Sequence, residues 1–306
     1  MGARARSAER RHGAPSSERR VGPLKVIEAP GTFAVNVGDH MLFAAGTDDF
    51  VDPTLAPSAD RVRSLIGGHD YDLGLVPRAR MVRARDGAPH GALRTFNGNL
   101  SHENGLVESF KSGRMLGWQG ESQYLAVIRA QTSHEVIAVA TESVRFEWID
   151  GGARHKYTAD LELIPEKGPI HLIEVKRDER DLDDPALCRS LAIVAEICRC
   201  CALQFDIVFG RDIFASDVHR RQASKFASQA KVVPTGEDIR ALLAHAAETG
   251  GTSTYQRLSR ALRPDCERMG NALVRSMTVR RLVEIDLTTR VRSDTPVVLH
   301  PANARS

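Results

Sequence analysis

VRFEWIDGGARHKYTADLELIPEKGPIHLIEVK, the stretch from Val144 to Lys176, decides the fold. Val144 to Ile149 alternates apolar and polar residues, the period of a half-buried strand. Asp150-Gly151-Gly152 then supplies residues that tolerate the positive φ of a tight hairpin turn. The chain returns from Ala153 to Ile164 with Tyr157, Ala159, Leu161 and Leu163 on one face and Lys156, Thr158, Asp160 and Glu162 on the other. Pro165 to Pro169 reads as a polar turn. In the third run Leu172, Glu174 and Lys176 share a face, opposite His171, Ile173 and Val175. The expectation is three antiparallel strands that set a carboxylate and an ammonium side by side.

Such side chains suit phosphodiester cleavage, which needs charge neutralised on the scissile phosphate and a water made nucleophilic. Asp160 and Glu174 offer hard oxygen ligands of the kind Mg²⁺ takes. Lys176, on the same face as Glu174, is placed to hold the attacking water or to stabilise charge at phosphorus. Charges on the wet face of a half-exposed strand also arise without any catalytic role. Upstream, Gly120 to Ser133 reads as a short helix with Glu121, Tyr124, Leu125 and Ile128 along one face. Glu121 heads that apolar stripe and is a candidate third carboxylate, although the macrodipole alone also favours Glu at a helix N-terminus.

Taken in order, Lys111-Ser112-Gly113-Arg114, Gly120-Glu121-Ser122-Gln123-Tyr124-Leu125, His155-Lys156-Tyr157-Thr158-Ala159-Asp160 and Ile173-Glu174-Val175-Lys176 resemble the catalytic domain of the TnsA-type transposon endonucleases. These belong to the restriction-endonuclease-like, PD-(D/E)xK superfamily. The resemblance covers roughly Gly105 to Arg211. It implies an α/β domain with a mixed sheet flanked by helices. It further implies Glu121 as a helix acid, Asp160, Glu174 and the Val175 backbone carbonyl as further metal ligands, and Lys176 as the catalytic lysine. The implied cofactor is Mg²⁺, with Mn²⁺ as substitute. One departure is Ala159, where the family usually has proline before the metal-binding Asp; proline there only stiffens φ.

The activity implied is metal-dependent DNA cleavage at transposon ends, beside a separate transposase and an ATP-dependent regulator. A restriction or Holliday-junction nuclease of the same superfamily presents the same carboxylates. The reading from another class is a non-catalytic DNA-binding or scaffold protein of a mobile element. The presence of Glu121, Asp160, Glu174 and Lys176 together argues against it, because fold stability does not require buried like charges to stay close. No triad for serine or cysteine nucleophiles is found.

The chain has 306 residues, enough for two domains of ordinary size, with a net charge of +3 and a pI near 8.7. Its apolar runs are too short and too charged to span a membrane, so a cytoplasmic protein is expected. The first twenty residues hold six Arg against two Glu, and residues 1–23 read as a disordered basic arm. Five cysteines are an odd number, and Cys198-x-x-Cys201 has no second pair, so reduced core thiols and no structural zinc are expected.

Residues 24–104 are poorly defined by pattern, with short strands at Lys25-Val26-Ile27 and Met41-Leu42-Phe43-Ala44 and a helix over Ser58 to Ile66. The nuclease domain is placed at 105–211. After Lys176 comes a charged loop, then a helix opening at Asp184-Pro185 and running to about Cys201, then a strand from Leu203 to Phe209. Residues 212–306 read as a helical, winged-helix-like domain: helices over Val218 to Ala230, Glu237 to Glu248, Thr252 to Leu262 and Cys266 to Met277, then strands over Leu282 to Leu287 and Thr295 to Leu299. With Cys266 to Met277 as recognition helix, Arg268 and Arg275 meet DNA while Arg280, Arg281, Arg290 and Arg292 flank phosphates. Contact with transposition partners suits the same surface equally. His155 and His171 are expected as hydrogen-bonded strand residues, and Trp118 and Trp148 as packing residues.

Overall fold

Gly151 and Gly152 sit at φ 56° and 81° and close the hairpin between β5 (Val144–Asp150) and β6 (Ala153–Thr158). A computed structural model gives the fold and describes residues 56–66, 79–84, 92–93 and 103–305. The basic arm and the expected strands at 25–27 and 41–44 lie outside the described residues. The expected strand from Ala153 to Ile164 is two strands. The chain leaves β6 after Thr158, and β7 (Leu161–Pro165) joins a different sheet. Alternation survives the break but its meaning changes: Ala159 is buried in one core and Leu161 in another.

The central sheet is mixed, in the order β4 (Val136–Thr141), β7, β8 (His171–Lys176), β9 (Gln204–Phe209). β4, β7 and β8 run antiparallel, while β9 lies parallel to β8. A parallel neighbour needs a crossover. That crossover is α3 (Pro185–Cys200), where Pro185 fills the first turn and the Asp184 carboxylate accepts from Ala186 N–H at 2.8 Å.

Each face of this sheet has its own helix. Leu172, Phe205 and Ile207 pack against Leu191, Val194 and Cys198 of α3, and Val62 of α1 (Ala56–Leu65) joins them. On the other face Val139, Leu161 and Ile173 pack against Ala126, Val127 and Ala130 of α2 (Glu121–Thr132). Burying each of the Val, Leu, Ile and Phe side chains among these stabilises the fold by about 1.5–3 kcal/mol. β1 (Ala79–Arg83) pairs with β5, and β2 (Asn104–Ser109) pairs with β3 (Arg114–Gln119). Parts of 24–104 thus belong to the core of the unit that follows. All five cysteines are free, with Cys188 and Cys198 buried.

The C-terminal part contains α4 (Asp217–Gln229), α5 (Gly236–Thr249), α6 (Tyr255–Leu262) and α7 (Glu267–Val279). Thr235 and Asp238 form a capping box that opens α5. β10 (Thr252–Thr254), β11 (Val283–Glu284) and β12 (Pro296–Leu299) form an antiparallel sheet in the order β10-β12-β11. The sequence pattern predicts helix across Thr252 to Thr254. There the Thr254 side chain instead caps α6, and the two residues before it pair with Val298 and Val297. Among the described residues no helix is long and apolar enough to cross a membrane.

Candidate active site

Asp160 lies at the crossing from β6 to β7 and is held at both ends. Its carbonyl accepts from the Glu142 N–H at 3.0 Å and from the Gln123 side-chain amide at 3.4 Å. Its carboxylate accepts from the Val175 N–H at 2.8 Å. The sheet break therefore sets the carboxylate over the C-terminal end of β8. Gln123 also accepts from the Gln119 N–H at 2.5 Å, so the first turn of α2 is tied to the same point.

Glu174 is 6% exposed, and both of its carboxylate oxygens are engaged. Oε1 accepts from Lys176 Nζ at 2.5 Å, and Oε2 accepts from the Tyr157 hydroxyl. The Tyr157 ring is set edge-on against Phe205, with centroids 6.1 Å apart. Burial, then the Glu174 charge, keep the Tyr157 phenol protonated well above its ordinary pKa. Sequence alternation assigns Tyr157 to an apolar face. The role of its hydroxyl follows from a partner on another sheet, which no local pattern signals.

Burial and the neighbouring Glu174 charge push the Asp160 carboxyl well above the usual carboxylate range, against the opposing pull of the Val175 N–H and Lys176. Burial works against the Lys176 ammonium, but Glu174 and Asp160 hold it above its ordinary value. The two carboxylates thus repel each other in a partly buried place.

Glu121 stands exposed in the first turn of α2 and not on its buried face. The buried face is wider than the stripe read from sequence: it includes Ile128 of that stripe and adds Gln123, Val127, Ala130 and Gln131. Tyr124 is only half-buried and packs on Trp118, at a centroid distance of 5.2 Å. A Cβ on Gly210 would meet Ser122 Oγ at 2.6 Å and the Arg177 carbonyl at 3.2 Å. Glycine there lets the start of α2 close on the ends of β8 and β9.

The arginines named from sequence separate into two groups. Arg281 is mostly buried, donating through Nε to the His134 carbonyl at 2.7 Å and lying 2.8 Å from the Glu166 carboxylate. Arg280 stacks over the Phe110 ring at 4.9 Å. Both join the C-terminal unit to the first one. Arg268 is exposed in the first turn of α7. Arg275 lies near Lys225 and, with burial and Arg290, pulls that ammonium below its ordinary value. Lys225, Arg275 and Arg290 are thus neighbouring cations, and none forms an ion pair among the described residues. His171 pairs with Asp206 at 2.9 Å, and His155 stacks on the buried Trp148.

In comparison with known proteins, the chain matches no protein-family model and no curated protein.

Proposed function

We propose that the protein is a Mg²⁺-dependent DNA endonuclease of the TnsA type, cutting a phosphodiester at transposon ends as part of a transposition complex. The observation that carries this reading is that the Asp160 carboxylate, ahead of β7, bonds the Val175 N–H on β8, between Glu174 and Lys176, which pair at 2.5 Å. The mixed order β4-β7-β8-β9, with α2 before it and α3 as the crossover, is the arrangement the family resemblance implies. The order α5, β10, α6, α7, β11, β12 with sheet order β10-β12-β11 likewise suits a winged helix.

In this reading Asp160 and Glu174 hold the cation, with Glu121 at the exposed rim. When bound, Mg²⁺ supplies positive charge at the scissile phosphate. Tyr157 fixes one Glu174 oxygen, so the carboxylate keeps a single orientation. Lys176 presents an ammonium to the attacking water or the phosphoryl oxygens. Phosphate contact from the C-terminal unit is assigned to Lys225, Arg275 and Arg290, since Arg280 and Arg281 serve the junction.

Calorimetry with Mg²⁺ or Mn²⁺, paired with nicking of supercoiled DNA in the presence of a cognate transposase, tests the proposal. Asp160→Ala is expected to lose both metal binding and nicking. Lys176→Ala is expected to keep metal binding and lose nicking by about 10²-fold or more. Equal metal binding by wild type and Asp160→Ala, with no cleavage in any assembly, would favour a scaffold role.

A further inference from the structure

His134, Glu284 and His300 come together from both parts of the chain. His134 lies in the link between α2 and β4, Glu284 ends β11, and His300 follows β12. The three possible ligand atoms lie within 4.8 Å of one another. Glu284 Oε2 is 2.9 Å from His300 Nε2 and 4.0 Å from His134 Nε2. The two imidazole rings stack with centroids 4.1 Å apart, which brings both to the same carboxylate.

Neither ring nitrogen of His134 has a hydrogen-bond partner among the described residues. Nδ1 is buried without one, and Nε2 stops 4.0 Å short of Glu284, on a side chain that is only 14% exposed. An imidazole so enclosed loses its water without gaining a partner, which is unfavourable. The backbones carrying the ring nitrogens are fixed. The His134 carbonyl accepts from Arg281 Nε, and the His300 N–H donates to the Leu282 carbonyl at 2.9 Å. The Arg281 guanidinium faces Glu166 at 2.8 Å, which offsets its charge near the cluster.

We propose that His134, Glu284 and His300 form a site for a zinc-class divalent cation that clips the C-terminal unit to the catalytic unit. Two imidazoles and one carboxylate are a ligand set that Zn²⁺, Co²⁺ and Ni²⁺ take readily, and that Mg²⁺ does not favour. Bonds of roughly 2.0–2.2 Å in a tetrahedral site place ligand atoms about 3.3 Å apart. The observed spacings bracket that value, so movements below about 1 Å close the site. A fourth position remains for water. The cysteines play no part, which is why cysteine spacing gives no sign of it.

The test is Zn²⁺ titration of the full chain by calorimetry with Mg²⁺ in excess, read beside thermal unfolding with and without Zn²⁺. One equivalent of Zn²⁺ is expected to bind and to raise Tm. His134→Ala and His300→Ala should each weaken binding by about 10-fold or more and abolish the Tm rise, while Asp160→Asn should bind as wild type does. Co²⁺ in place of Zn²⁺ should give a visible spectrum without a thiolate charge-transfer band. Should a histidine variant fail to fold, Glu284→Gln, which can keep the contact with His300, decides the matter by its loss of affinity. No Zn²⁺ binding, binding unchanged in the folded variants, binding lost in Asp160→Asn, or a thiolate band overturns the proposal.

Discussion

Asp160 is a carboxylate kept in a place that does not favour its charge. Burial and the Glu174 charge raise its pKa, so the folded protein binds a proton there more tightly than the unfolded chain. The sign follows from linkage. The stability tied to this group is fully present below the unfolded carboxylate pKa and is lost as pH rises through the folded one. Asp160→Asn keeps an oxygen for the Val175 N–H and removes the repulsion. It should therefore raise stability at neutral pH by about 1–2 kcal/mol, with a smaller gain at pH 4, measured by thermal unfolding without divalent ions. A variant less stable than wild type at pH 8 would show that the carboxylate supports the fold. Glu174 and Lys176 were legible on one face of a strand because a period of two pairs them, whereas Asp160 lies at the break between β6 and β7 that alternation concealed. Tyr157 and Gln123 were not, since a hydroxyl and an amide take their meaning from partners brought in by tertiary structure.

At the scale of elements, the hairpin tip at Lys111 and Ser112 fixes the far end of α2. Lys111 Nζ donates to the carbonyls of Ala130 at 3.0 Å and Val136 at 2.7 Å, and to that of Ser133. Ser112 bonds both polar groups of the Val139 backbone. Burial, with Arg281 and Arg129 nearby, pulls the Lys111 ammonium down to about 7. The three carbonyls oppose this, because only the charged form has three N–H donors and it sits at the negative end of a helix. Lys111→Met leaves those carbonyls in an enclosed place without a donor. It should cost about 2–4 kcal/mol, read by denaturant unfolding, and a loss under 1 kcal/mol would show that water replaces the ammonium. Helix type was legible where a cap and periodicity agree, as at Asp184-Pro185. The break after Thr158 was hidden because alternation continues through it while the partner strands change. On α2 the misread residue was Glu121, which is exposed, while Ile128 is buried and Tyr124 and Leu125 pack against the core that holds Leu161 and Ile173.

Across the whole molecule, the join between the two parts depends on residues that composition marks only as basic surface. Arg281 has a φ of 63°, a left-handed conformation that side chains other than glycine adopt at a cost. That geometry turns its side chain toward the His134 carbonyl and Glu166, while the Asn303 side-chain amide donates to its own carbonyl at 2.8 Å. Two substitutions separate the backbone from the side chain. Arg281→Ala keeps the unfavourable φ and loses the bridge, whereas Arg281→Gly loses the bridge and relieves the backbone. Both should be less stable than wild type, with the glycine variant above the alanine variant by about 0.5–1 kcal/mol. Because the bridge spans the two parts, both variants should also show faster proteolysis between β9 and α4 and a larger radius in small-angle scattering. Equal stability with unchanged proteolysis would mean that the helix contacts of α2 with α4 and α7 hold the parts together without Arg281.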